Sequence, residues 1–180
     1  MENKKIIING KNNKYHIKKA TTTTSIELNK ERLFICKHDI LPILFNYEEQ
    51  LNLLNKNNLP SIIIQELNRK LIGYKNQDIK KNIYNENTII QFNDLIQKLI
   101  DCNLKCYYCF SEIYLLYKYV REKKQWTLDR INNKQGHNLD NIVLSCLECN
   151  LQRRIQSSDN YLFTKQLKLI KTNENSESII

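Results

Sequence analysis

Four cysteines in two pairs, Cys106-Tyr-Tyr-Cys109 and Cys146-Leu-Glu-Cys149, form the strongest chemical pattern in this chain. A two-residue gap lets both sulfurs of a pair face one ion, and zinc favours four thiolates in a tetrahedron. Two such pairs fill the coordination shell and leave no open position for chemistry, so the expected ion is a structural Zn²⁺. The 36 residues between them, Phe110 to Ser145, exceed a zinc-ribbon gap and must hold a structural unit of their own. A redox role would need a βαβ setting that the flanking sequence lacks. Cys36 and Cys102 stand outside the pairs and read as buried thiols, although Cys102 could substitute for a neighbouring ligand.

The elements around the pairs follow from periodicity. Trp126 to Ile131 alternates and is β-prone, a polar loop containing Gly136 follows, and Ile142-Val143-Leu144 reads as a second strand. After Cys146 the composition favours a helix carrying Asn150, Arg153 and Arg154. Strand, loop, strand and helix in that order make a ββα unit. Basic residues gather there: Arg121, Lys123, Lys124, Arg130, Lys134, Arg153 and Arg154. Arg130, Lys134, Arg153 and Arg154 are the candidate contacts to nucleic acid. Lys123 and Lys124 suit a solvated face equally well. Tyr107, Tyr108, Tyr114, Tyr117 and Tyr119 could stack on bases, but the expectation is that they pack around the zinc and the Ile113–Val120 segment.

Taken together, Asp129-Arg130-Ile131, Gly136-His137, Asp140-Asn141-Ile142-Val143 and Cys146-Leu-Glu-Cys149-Asn150 resemble the zinc-containing branch of the HNH (ββα-metal, His-Me finger) endonuclease superfamily. That branch includes phage junction-resolving endonucleases and HNH proteins of large DNA viruses. The resemblance covers about 50–60 residues, a third of the chain. It implies that Asp129 is a metal-binding acid, that Asn150 completes a site for Mg²⁺ or Mn²⁺, and that Asn141 braces the loop. One oxygen from each of Asp129 and Asn150 suits such a hard cation and leaves room for a phosphate and water. On residue chemistry alone, Asp129 could instead pair with an arginine, and Asn150 could cap a helix.

The pattern departs from the family at Arg130, where the water-activating histidine usually stands. A guanidinium stays protonated and is no general base. Three outcomes remain open. His137 could turn toward the metal and take the proton; Arg130 could clamp the phosphate while metal-bound hydroxide attacks; or the module could bind nucleic acid without cutting it.

The rest of the chain positions this unit. Residues 5–19 predict a hairpin around Asn9-Gly10, and 26–36 are ambiguous between strand and helix. Leu41, Leu44, Phe45, Leu51 and Leu54 predict a helix from Asp39 that ends at Asn57-Asn58. Pro60 opens another, carrying Ile63, Ile64, Leu67 and Leu71 and stopping at Gly73. Tyr74–Asn87 reads as a loop or short helix, and a helix from Thr88 presents Ile89, Phe92, Leu95, Ile96 and Leu99. The expected fold class is α+β: a small mixed or mainly helical accessory region over 1–86, the zinc-stapled module over 87–165, and a flexible tail over 166–180. A net charge of +9, from 28 Lys+Arg against 19 Asp+Glu, makes a polyanion the natural partner. No apolar run approaches the roughly 20 residues of a membrane span. The Met1–Lys5 start is too short for a signal peptide, so an intracellular, reducing compartment is expected. The expected activity is metal-dependent hydrolysis of DNA phosphodiesters. The alternatives are a non-catalytic zinc module binding DNA or RNA, and a homing-type endonuclease of a mobile element.

Overall fold

The computed structural model describes residues 30–32 and 40–167. The architecture is mixed α+β. A 3-10 turn (Pro42–Phe45) precedes α1 (Tyr47–Asn55), α2 (Ser61–Lys80) and α3 (Phe92–Asp101); β1 (Trp126–Arg130), β2 (Ile142–Cys146), α4 (Leu147–Arg153) and α5 (Ser158–Gln166) follow. The hairpin expected over 5–19, Cys36, most of 26–36 and the tail beyond Leu167 lie outside the described residues.

Local sequence explains most boundaries. Asn46 caps α1 by accepting from the Glu49 amide at 3.1 Å, and Glu48 and Glu49 sit in the favourable first turn. The expected stop of α2 at Gly73 is corrected: the helix runs to Lys80. Its inward stripe, Ile63, Leu67, Lys70, Tyr74 and Asp78, keeps helical spacing past the glycine, so docking outweighs the glycine's weak propensity. The start of α3 is corrected from Thr88 to Phe92. Asp94 accepts from the Gln91 amide at 3.2 Å and fixes the turn there. Ile89 and Ile90 instead bridge to the 137–138 segment, with the Ile90 amide donating to the His137 carbonyl.

Strands β1 and β2 pair antiparallel, with Trp126 opposite Cys146, Leu128 opposite Leu144 and Arg130 opposite Ile142. Alternation gives β1 two working faces. Trp126 lies against Tyr74 of α2, with ring centroids 6.4 Å apart, while Thr127 and Asp129 contact α4. The edge away from β2 is closed too. Trp126 N–H donates to the Tyr114 carbonyl, Leu128 N–H to the Tyr74 hydroxyl, and Lys70 Nζ to the Trp126 carbonyl. A covered edge leaves no template for pairing with another chain.

One buried cluster joins Leu54, Ile63, Leu67, Leu95 and Leu99 of the helices to Trp126, Leu128 and Leu144 of the sheet and Tyr161 of α5. The sequence-level boundary at 86/87 thus falls between residues that share a core. Among the described residues, no helix is long and apolar enough to cross a membrane.

Candidate functional site

The sulfurs of Cys106, Cys109, Cys146 and Cys149 all lie within 4.8 Å of one another. Cys109 Sγ and Cys146 Sγ are 3.9 Å apart, close to the roughly 3.8 Å edge of a zinc–thiolate tetrahedron with bonds of about 2.3 Å. Each half is a backbone device. In the first, Cys106 N–H donates to the Ser111 carbonyl and Phe110 N–H returns to the Cys106 carbonyl, with Phe110 at a positive φ of 58°. In the second, Cys146 caps α4, its sulfur accepting from the Cys149 amide at 3.4 Å. Tyr107 N–H donates to the Leu144 carbonyl and fastens the first half to β2. Hydrogen bonds from Cys146 and Cys149 pull the Cys106 thiol far below its ordinary pKa, while the same contacts push the other two up. Such a cluster is a donor set for one soft, thiophilic dication: the four cysteines are placed to hold a metal ion such as zinc. Cys102 stays outside, donating to the Leu99 carbonyl at 3.4 Å.

The helix that carries Cys149 and is capped by Cys146 also docks on β1. Asn150 Nδ2 donates to Thr127 Oγ1 at 3.1 Å and to the Leu128 carbonyl at 3.3 Å. One turn further, Arg153 meets Asp129: Nε to Oδ2 at 2.5 Å and Nη2 to Oδ1 at 2.7 Å. Tyr108, from the first cysteine pair, donates its hydroxyl to Asp129 Oδ2 at 2.7 Å. Asp129 is 4 % exposed and Arg153 only 2 %. The guanidinium also donates to the Arg130 and Gln156 carbonyls. Arg153 is therefore not a surface contact for phosphate, which corrects its expected role; Arg154 beside it is exposed.

Asn141 is the brace of the 131–136 loop. Its Nδ2 donates to the carbonyls of Asn132 (3.1 Å) and Gly136 (2.9 Å), and its Oδ1 accepts from the Asn132 amide at 2.9 Å. Arg130 reaches the Gln135 carbonyl at 3.2 Å, and Lys134 is exposed on the same loop. His137 is neither a surface residue nor free to turn. Asp78 of α2 accepts its amide on Oδ2 (2.6 Å) and holds Nδ1 with Oδ1 (2.8 Å), and Tyr74 lies 4.6 Å away, ring to ring. Burial lowers the imidazole pKa, and the charge of Asp78 opposes that. The site thus splits. Asp129, Asn150 and Arg153 share one face of β1, whereas His137 is anchored to α2.

Of the remaining basic residues, Lys123 pairs with Glu148 at 3.2 Å and Lys124 with Glu112 at 3.1 Å on the surface. Of the tyrosines, Tyr108 and Tyr117 are core, Tyr114 and Tyr119 are half-buried and Tyr107 is exposed, so the packing expectation holds only in part.

Sequence reading missed Asp78 and Tyr74 because the polar stretch after Gly73 reads as a loop or short helix, and it missed Lys70 because a charged residue on a helix reads as solvated. The unbroken 67, 70, 74, 78 spacing was the available signal. It also missed that the hydroxyl of Tyr108 reaches Asp129. Comparison with protein-family models, curated proteins and solved structures finds no match to this chain.

Proposed function

We propose that this chain is a zinc-stapled, HNH-type endonuclease that hydrolyses DNA phosphodiester bonds with a divalent cation. The observation that carries the reading is the cross-bracing just described. Asn141 ties the loop between the strands, and a helix anchored through Cys146 and Cys149 lays Asn150 along the end of β1 that bears Asp129. Asn150 and Asp129 thus both meet at this strand, which supports the reading. Arg130, Lys134 and Arg154 supply positive charge beside it, suited to holding a phosphate backbone.

The second cation does not fit the arrangement as it stands. Both oxygens of Asp129 are engaged by Arg153, a fixed positive charge where a cation would have to sit. Mg²⁺ or Mn²⁺ held by Asp129 and Asn150 requires the guanidinium to release at least one oxygen. This contact favours a second reading, in which the module binds nucleic acid and leaves it intact.

Supercoiled plasmid incubated with the protein and Mg²⁺ or Mn²⁺ separates the two. Nicking that disappears in both Asp129→Ala and Asn150→Ala supports the enzyme. Plasmid binding without nicking in either metal overturns it in favour of the second reading. The frame itself is tested by metal analysis: one zinc per chain is expected, lost in Cys149→Ser, and a zinc-free folded protein defeats both readings.

A further inference from the structure

A cleft of about 660 Å³ lies between α2, the 30–32 segment and β1, within the range of roughly 300–1,000 Å³ typical of small-ligand sites. None of Asp129, His137, Asn141 or Asn150 lines it. Arg69 and Lys70 of α2 do, and they flank a buried carboxylate, Glu66, whose oxygens accept from Arg69 at 3.0 and 3.1 Å and from Arg32. Lys70 takes no hydrogen bond to Glu66. Its ammonium donates to the Trp126 carbonyl and rests over the rings of Tyr117 (5.0 Å) and Trp126 (4.7 Å). An ammonium has three donors, and among the described residues Lys70 uses one. Burial pushes its pKa well below the ordinary lysine value, the charges of Arg32 and Arg69 add to this and the Glu66 carboxylate opposes it, so an anion entering the cleft would favour the charged ammonium.

Gly73 borders the same cleft. Mid-helix glycine costs up to about 1 kcal/mol relative to alanine, and such a residue usually answers a close approach. Here a Cβ would meet nothing within 4 Å, so packing does not demand the glycine. Gly73 is therefore a lining position with room for a side chain, one helical turn from Lys70.

We infer that this cleft binds a phosphate group, with Arg69 and Lys70 as its N–H donors. Arginine beside lysine offers several N–H donors to the oxygens of one phosphate. The group could belong to a free nucleotide or to a nucleic-acid strand. The site is separate from the proposed cleavage centre and does not rest on it.

Trp126 is the only tryptophan in the chain and lies under Lys70, so its fluorescence reads the site directly. The full chain is titrated with thymidine 5′-monophosphate, with a 12-residue oligo-dT, and with thymidine as the uncharged control. A saturable change with the monophosphate shows that an isolated phosphate suffices; a change with the oligonucleotide alone assigns the cleft to a strand. Either result must be weakened at least about tenfold by Gly73→Glu, which adds a carboxylate, and left unchanged by Gly73→Ala. Arg69→Gln gives a second, independent weakening should the glutamate variant misfold. No response to either phosphate-bearing probe overturns the assignment, as does an equal response in folded Gly73→Glu or to thymidine.

Discussion

Arg153 shows how one side chain can fix both the fold and the chemistry of a site. Buried ion pairs bring little net stability when formed, but removing one partner strands the other charge. Arg153→Met leaves Asp129 buried against Tyr108 alone, and urea unfolding is expected to show a loss of about 3–5 kcal/mol. The double variant Asp129→Leu/Arg153→Met is expected to recover most of it, because the uncompensated charge is gone. His137 gives a pH signature. Its folded pKa lies below the ordinary 6.5, so below that pH the unfolded chain binds more protons than the folded one. Stability contributed by the neutral, buried ring is complete above pH 6.5. It falls as the pH drops toward the folded value, then levels off. Chemical denaturation between pH 7.5 and 5 should therefore show a decline that flattens in His137→Gln.

At the scale of elements, the loop between the strands is set by its approach to the end of α2. A Cβ on Gly136 would lie 2.7 Å from the Ile83 carbonyl oxygen and 2.8 Å from Asp78 Oδ2, the first a backbone atom and the second a carboxylate pinned by His137. Gly136→Ala must push the loop off Asp78 and break the two bonds to His137. A cost of about 2–3 kcal/mol follows, seen as a lower thermal midpoint. This contact also explains what was legible from sequence. The cysteine pairs, the two strands and the helix after Cys146 are local patterns, because ligand spacing and alternation are written in consecutive residues. The partner of His137 is 59 positions away on another element, and spacing along the chain says nothing about such a pairing. The same limit applies to Asp129. Its acid character and its place at the strand end were readable, but whether Arg153 or a cation holds it depends on a rotamer across a helix–strand junction.

For the whole molecule, the question is whether the C-terminal part stands alone. Leu54, Ile63 and Leu67 lie in the same cluster as Trp126 and Leu128, and Tyr74, Lys70 and Asp78 all bond to the later segment. A fragment spanning residues 87–180 loses every one of those contacts. Its tryptophan emission is expected to shift to the red relative to the full chain, even with zinc bound; an unshifted spectrum would make the module self-sufficient.

Strand β1 is covered on both faces, and its outer edge is bonded to Tyr114, Tyr74 and Lys70. In heavy water the amide protons of Trp126 and Leu128 are therefore expected to be replaced by deuterium only when the entire chain comes apart, and not through local fraying. Their exchange rate becomes a gauge of global stability, and a compound bound at any distant surface would register there as slower isotope uptake.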